Sequence, residues 1–599
     1  MPQGLSISRG WLAAVVLVCC LPLFVGLGRA DMETDEAIYS FGVERILEAG
    51  DWLAPKSSPS ETLAFLEKPP LKFWMVAAPI RWGLVPNTDG GLRLVDALLG
   101  ALAYGYVFAL GARLAGPACG AFATLLLAVN GPLLFEHGLR SNSMEASLVL
   151  AYAGGTFHAL EWARGEGDAS RRHALATALY VVLGFMTKFV AVAFLPLSVA
   201  LGVLAIRAGR QRVAEDWRAW VIAAAVALVL IAPWFLYAHI RFGRELWETM
   251  FGQHVVARFT VGLDPSHVHP WSFYVTGLWA SLTDTGRAWL LPMGLVALAW
   301  SAIRRGAVDA AVLLVWALLP LALISTGTSK LLHYAYPFLP PLTLAMAYPI
   351  GLFAQLAPSL WRRVLARVTD WMDGIRGVRP VLAHQAIRVG AGVVFVVAAL
   401  VFLLTAAEGT VKWRVAGHVL FRSAGLWRVG FVLALSGVFM RRPTAVGRWL
   451  TAACLVALVP VGAYAATWSR IDHLRHPMRD AAACVRAVQI ASGRPAGLVV
   501  DSDWSMWHPI TFYFRMIRPW TRQTAPSVDG LIALALSPGH ERPALVHDVR
   551  YATYLQQRPQ ALRGVDGATL PVLPLFEYDL LLPGPYEACS PQARLLGTR

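Results

Sequence analysis

Apolar stretches long enough to cross a bilayer recur from the N-terminus to about residue 467, separated by short polar loops. The first runs from Trp11 to Gly28 and ends in a cluster of acids, Asp31, Glu33, Asp35 and Glu36. Gly28-Arg29-Ala30 gives it some likeness to a cleaved signal peptide. The run is longer than a signal core and many spans follow, so it is read as a retained helix. With basic loops assigned to the cytoplasmic side, Arg9 sets the N-terminus inside and residues 31–92 outside. The stretch 71–86 is apolar but short, carries Arg81, and is predicted to lie along the interface. Further spans are predicted at about 93–112, 118–137, 145–163, 173–187, 190–206, 219–238, 287–303, 309–325, 336–356, 389–406, 425–440 and 448–467, thirteen in all. Arg113, the loops Arg164–Arg172, Arg207–Arg218 and Arg362–Arg388, and the pairs Arg304-Arg305 and Arg441-Arg442 then all fall inside.

Beyond 467 the pattern changes. Residues 497–501 and 543–547 read as short buried strands, and Met478–Gln489 as a helix. The predicted architecture is mainly α: a polytopic membrane bundle over 1–467 with interfacial helices in the outer loop 31–92, followed by a small extracytoplasmic α/β domain over 468–599.

Composition agrees. The chain has 599 residues, 57% hydrophobic and 15% charged, with mean hydropathy +0.53, where soluble proteins are about a quarter charged. The net charge of +15 does not indicate nucleic acid, because the basic residues sit in short loops between spans. Cys19, Cys20, Cys119 and Cys454 lie in apolar segments, and Cys484 and Cys589 in the polar C-terminal part, where their pairing stays open. The chain carries no CxxC or HExxH pattern, and no metal site is predicted.

Candidate chemistry gathers on the outer side. Asp35 and Tyr39 share a helix face, beside Glu36, and a carboxylate there can orient or deprotonate an acceptor. Glu67-Lys68-Pro69-Pro70 holds a lysine in a rigid turn, a point charge suited to phosphate. Arg140 to Glu145 brings a second acid to the mouth of a span. Lys188, His254, Arg258 and Lys330 are separated cations on the outer side, against the usual bias, and suggest an anion pocket; His333 and Tyr334 lie close to the last of them.

Seven motifs then fall in a familiar order: Asp-Glu-x-x-Tyr (35–39), Gly-Asp-Trp-Leu-x-Pro (50–55), Phe-Leu-Glu-Lys-Pro-Pro-Leu-x-x-Trp (65–74), Thr-Lys (187–188), Ala-Pro-Trp-Phe (232–235), His-x-x-x-Arg-Phe (254–259) and Ser-Lys-x-x-x-Tyr-x-x-Pro (329–337). Over roughly residues 10–350 the chain resembles bacterial polyprenyl-phosphate-sugar transferases of the GT-C fold, chiefly the aminoarabinose–lipid A transferases, relatives of protein O-mannosyltransferases. The resemblance implies that Asp35 and Glu145 act at the catalytic centre and that Lys68 holds the lipid phosphate. Two positions depart from the family: Glu145 stands where Asp is usual, and Ile38 where aminoarabinose transferases tend to have Arg.

The expected function is an inverting glycosyltransferase, multi-pass in a bacterial cytoplasmic membrane, with its site on the extracytoplasmic side. Its donor is a polyprenyl-phosphate-linked sugar, with the phosphate on Lys68, Arg258 and Lys330 and the sugar and acceptor near Asp35, Glu36 and Glu145. Tyr39, Glu67, Lys188, His254, His333 and Tyr334 complete the predicted pocket. The acceptor is lipid A, an envelope glycan or a protein hydroxyl. The family resemblance implies no obligatory metal, and a divalent cation on the acidic pair is left open. A lipid flippase is the rival class, but the inverted repeats and mid-membrane broken helices it requires are not seen in the sequence.

Overall fold

The computed structural model describes residues 9–56, 64–165, 167–261, 265–284 and 289–355, short pieces between 390 and 423, and residues 463–589 apart from 465, 494–496, 502–507, 516–521, 558–570 and 576–577. After α1 (Arg9–Phe24) the chain turns through the acidic cluster into α2 (Thr34–Ala49), which ends because Gly50 adopts a left-handed conformation and donates its N–H to the Ile46 carbonyl. Helix α3 (Leu71–Arg81) has 11 residues, about 16 Å of rise against a hydrocarbon core of about 30 Å. It is too short to cross, as its interfacial reading requires. It also stops earlier than 86, because Leu84 turns back to donate to the Pro79 carbonyl.

Helix α4 (Asp89–Ala115) is capped by the Thr88 side chain, which accepts from Gly91 N–H. The predicted single span 118–137 is two helices instead, α5 (Pro117–Ala128) and α6 (Gly131–Phe135). The break falls at Asn130, whose side chain accepts the Leu133 N–H at 3.0 Å and so starts a new helix. Next come α7 (Glu145–Arg164), α8 (Gly167–Lys188), α9 (Phe194–Ala205) and α10 (Arg207–Phe242). Residues 244–260 continue helically, with a π-helical stretch at Glu248–Ala257. Helices at Phe273–Asp284, Leu290–Arg305, Val308–Ser325 and Leu332–Gln355 follow.

Among the described residues, five helices are long and apolar enough to cross a membrane: α4, Gly167–Val192, α10, Val308–Ser325 and Leu332–Gln355. The expected spans at 425–440 and 448–467, and much of that at 389–406, lie outside the described residues, as does Cys454. The main core is built from α1, α4, α5 and α7–α9 with the later helices. Helices α4 and α5 approach closely where two glycines face each other: a Cβ on Gly111 would lie 2.6 Å from the Gly120 Cα.

A hairpin that the sequence did not suggest, β1 (Val411–Val415) with β2 (His418–Ser423), precedes the C-terminal part. There β3 (Leu498–Asp501), β4 (Arg522–Ala525), β5 (Ala544–His547), β6 (Val572–Leu575) and β7 (Tyr578–Leu581) form one sheet in the order β4-β3-β5-β7-β6. Strand β3 is parallel to both β4 and β5, while β7 is antiparallel to β5 and β6. Helix Pro477–Ser492 is joined to the turn at 584–589 by a Cys484–Cys589 disulfide, with Cα atoms 5.8 Å apart and a sequence separation of 105. Closing a loop of that length is worth about 4–5 kcal/mol in a chain-entropy account. Cys589→Ser is therefore expected to lower the thermal midpoint of this part clearly, followed by near-ultraviolet circular dichroism.

The sheet and the segment between α1 and α4 share one hydrophobic cluster, in which Phe41 of α2 meets Phe512 edge-on at 5.4 Å. Polar contacts fix the same junction. The Asp31 carboxylate accepts the N–H groups of Met478 (2.8 Å) and Arg479 (3.2 Å), capping helix 477–492. The Tyr513 hydroxyl accepts from Met32 N–H at 3.0 Å and donates to Asp89 at 2.8 Å, and Arg515 pairs with Glu44. Burial pushes the Asp31 carboxyl up from 3.8 to about 6. The folded state thus binds this proton more tightly than the unfolded chain, and the stability it contributes at low pH is lost as pH rises through about 6. The midpoint of the wild type relative to Asp31→Asn should therefore climb as pH falls from 7 toward 4, measured by thermal unfolding; a falling difference would contradict this.

Candidate active site

The site is assembled on the α2 side of this junction. One turn along α2 from Asp35, Tyr39 is buried between the edges of Phe65 and Phe73, each 6.2 Å away. Helices α2 and α3 can approach this closely because residue 42 is glycine: a Cβ there would sit 2.4 Å from Phe73. The turn before α3 then brings Lys68 over the Tyr39 ring, where its Nζ donates to the Tyr39 hydroxyl at 2.6 Å. Burial pushes the Lys68 ammonium below its ordinary range, while Glu67 and Asp35 pull it back up. Burial and the Asp35 charge together push the Tyr39 phenol upward.

Glu67 lies 3.8 Å from Lys68 Nζ and 3.4 Å from His254 Nε2. Burial alone would raise its carboxyl, but the hydrogen bond to His254 and the charges of Lys68 and Arg258 outweigh it and hold the group at about 2. His254 and Arg258 come from the helical stretch after α10, and the Arg258 guanidinium donates to the Tyr334 hydroxyl. At the end of α8, Lys188 pairs with Glu145, the first residue of α7, and stands 5.6 Å from the Tyr334 ring. His333 Nε2 is 3.8 Å from the same Glu145 carboxylate.

These side chains border a cavity of about 380 Å³. Lys68, Glu67, Lys188, His254, Arg258, His333 and Tyr334 line its polar part; Leu148, Phe194, Ile324, Pro337 and Phe338 line its apolar part. A concave space lined both by cations and by apolar side chains suits an amphiphile with an anionic head.

Asp35 sits beside this cavity rather than in its wall, part-exposed, with Oδ2 3.8 Å from His137 Nδ1. The sequence reading missed His137. Its ring also faces Glu33 at 3.7 Å and packs on His333 at 4.9 Å between centroids, so two histidines stand between Asp35 and Glu145. His137 has a left-handed backbone, φ 52°, rare for a residue other than glycine and a mark of local constraint. Its position in Glu136-His137-Gly138, just before Arg140, was the available signal.

Two predicted site residues have other work. Glu36 was expected beside Asp35 as a catalytic acid. It is 1% exposed, and its oxygens are taken by the Arg93 guanidinium at 2.6 and 2.7 Å and by the N–H groups of Asn142 (2.7 Å) and Glu33 (3.2 Å). A carboxylate saturated in this way has no oxygen left for a substrate. Lys330 was expected on the phosphate. Instead its ammonium donates to the carbonyls of His269 (2.8 Å) and Gly327, holding two loops together, and it does not line the cavity. Arg140 likewise ties down the end of α1, through the carbonyls of Pro22 and Gly26.

Known proteins resemble this chain in both sequence and fold. Residues 67–237 match the family model of dolichyl-phosphate-mannose-protein mannosyltransferases. The chain is 28% identical over 357 residues to an undecaprenyl phosphate-alpha-4-amino-4-deoxy-L-arabinose arabinosyl transferase of Pseudomonas fluorescens Pf0-1, covering 58% of this chain and 59% of that relative. A second such transferase, from Pseudomonas fluorescens Pf-5, is 28% identical over 72% of this chain and 67% of its own length. The chain thus spans about three-fifths of the first relative's length. In fold it is similar to the crystal structure of ArnT from Cupriavidus metallidurans bound to undecaprenyl phosphate, with TM-score 0.61 at 19% identity, covering 96% of this chain and 98% of that one.

Proposed function

We propose that this chain, which groups with the polyprenyl-phosphate-sugar glycosyltransferases of the GT-C fold, moves a sugar from a polyprenyl-phosphate donor to a lipid acceptor of the cell envelope such as lipid A. The observation that carries this reading is the cavity in which Lys68, Lys188, His254 and Arg258 meet an apolar wall. The donor phosphate lies at Lys68 and Arg258, and the isoprenoid tail runs along the apolar side. As the glycosidic bond to phosphate breaks, negative charge grows on the leaving oxygen, and fixed cations in a shielded cavity stabilise it. These cations supply the positive charge of the step, so no obligatory metal is included. Asp35 orients the acceptor hydroxyl and takes its proton, and attack from the face opposite the phosphate inverts the anomeric centre. Glu145 holds Lys188 and His333 toward the sugar.

The reading includes thirteen spans, a membrane domain over 1–467, and a site and C-terminal α/β domain over 468–599 on the extracytoplasmic face of a bacterial cytoplasmic membrane. Mass spectrometry of envelope lipids and glycoproteins from cells with and without the protein tests it. A sugar-sized mass difference on a lipid supports the proposal. The same difference on proteins alone moves the chain to the O-mannosyltransferase type, and no difference removes the transferase reading.

A further inference from the structure

Six polar side chains outside the cavity wall take no part in the chemistry above, yet they are almost wholly buried. The Lys72 ammonium pairs with Asp96 and donates to Asn142 Oδ1 at 2.8 Å. Asn142 Nδ2 donates to Ser40 Oγ at 3.1 Å, and its backbone N–H donates to Glu36 Oε1 at 2.7 Å. Glu36 in turn is gripped by Arg93, which also donates to the carbonyls of Leu27, Ala30 and Asp31 at 2.8–2.9 Å. Lys72, Asp96 and Asn142 are no more than 1% exposed.

The network joins four pieces of chain, and three of them carry the reacting groups. Glu36 and Ser40 belong to α2 and flank Asp35 and Tyr39. Lys72 lies in the first turn of α3, directly after Lys68-Pro69-Pro70. Asn142 is in the loop that ends at Glu145. Asp96 and Arg93 are on α4, which supplies the base.

The network is also poor value as a source of stability. Asp96 Oδ1 is buried with no hydrogen-bond partner among the described residues. A half-satisfied buried charge pair generally stabilises less than apolar packing of the same volume. What such a pair does supply is direction, because each bond fixes an angle as well as a distance.

Resting on the proposed transferase reading, we infer that Lys72, Asp96 and Asn142 are positioning residues, a buried keystone that sets the separation of Asp35, Lys68 and Glu145. Donor binding needs only cations and an apolar wall and tolerates small displacements. Transfer needs the acceptor, the anomeric carbon and the phosphate in line, where displacement by about 1 Å can cost about 10²-fold. Loosening the keystone should therefore lower kcat and leave KM for the donor nearly unchanged.

The test uses the full-length protein in lipid nanodiscs. Turnover of a polyprenyl-phosphate sugar is counted per binding site titrated with undecaprenyl phosphate, so that misfolded protein is not counted. The variants are Asn142→Ala, the volume-matched pair Lys72→Met with Asp96→Leu, and the milder Ser40→Ala. The first two are expected to lose about 10²-fold in kcat, and Ser40→Ala several-fold, with donor KM within about twofold throughout. Should either of the first two fail to fold, Ser40→Ala decides alone. Variants that bind and transfer like wild type, or that raise KM at constant kcat, overturn the inference. A wild type without turnover overturns the transferase reading instead, a separate result.

Discussion

Replacing Lys68 with methionine is expected to lower sugar transfer by about 10²–10³-fold, the loss typical when one fixed donor to a developing anion is removed. Methionine fills similar space beside Phe65 and Tyr39, so the α2–α3 packing should survive. The variant should also bind undecaprenyl phosphate more weakly, because in the proposed mechanism the same ammonium meets the phosphate before and during bond breaking. Arginine should rescue poorly. The ammonium sits 2.6 Å from the Tyr39 hydroxyl, and a planar fork is wider than the point charge it would replace. Burial pushes the Lys68 ammonium below its ordinary 10.5, so the alkaline limb of the rate profile should fall below that value. Activity should fall as pH rises through this limb, because in the proposed mechanism only the charged amine serves the phosphate. Steady-state kinetics across pH, with donor binding measured separately, check all three expectations.

Asp35→Asn is expected to lose about 10²–10⁴-fold in turnover, the usual contribution of a positioned proton acceptor, while undecaprenyl phosphate binding stays near wild type. The two substitutions should therefore separate: Lys68 affects donor binding and turnover, Asp35 turnover alone. Asparagine keeps the shape of the side chain and its place at the start of α2. A fall in folded protein, read from thermal unfolding, would mean that the contact with His137 is structural. Unchanged transfer would take Asp35 out of the mechanism.

The groups that read well in the sequence are those whose role is local. Glu67-Lys68-Pro69-Pro70 fixes its own turn, Asp35 and Tyr39 share a helix face, and Arg258 follows His254 by one helical turn. The strands at 498–501 and 544–547 also lie where short continuous apolar runs suggested buried strands. The break at Asn130 was legible too, in Asn130-Gly131-Pro132, but the hydropathy of the surrounding run concealed it.

What failed to read was pairing between distant residues. Glu36 looks like its neighbour Asp35 until Arg93, 57 residues on, takes its oxygens. Lys330 looks like a phosphate ligand until its partners prove to be backbone carbonyls, which carry no sequence signature. Lys72 lies in an apolar run, where a lysine usually reaches for the interface, and only the fold brings it to Asp96 and Asn142. His137 is a lone histidine whose significance depends on Glu33 and Asp35 at the start of α2 and on His333 arriving from a second distant segment.

The central claim is that Lys68, Lys188, His254 and Arg258 line one cavity built around a lipid phosphate, with Asp35 of α2 and Glu145 of α7 beside it. An experimental structure of the protein in nanodiscs with undecaprenyl phosphate tests it most directly. The account predicts phosphate density between Lys68 and Arg258, the tail along Phe194 and Phe338, and Asp35 facing the free side of the phosphate. Phosphate bound elsewhere on the protein with this cavity vacant, or Asp35 turned away on the opposite side of the bilayer, would contradict it.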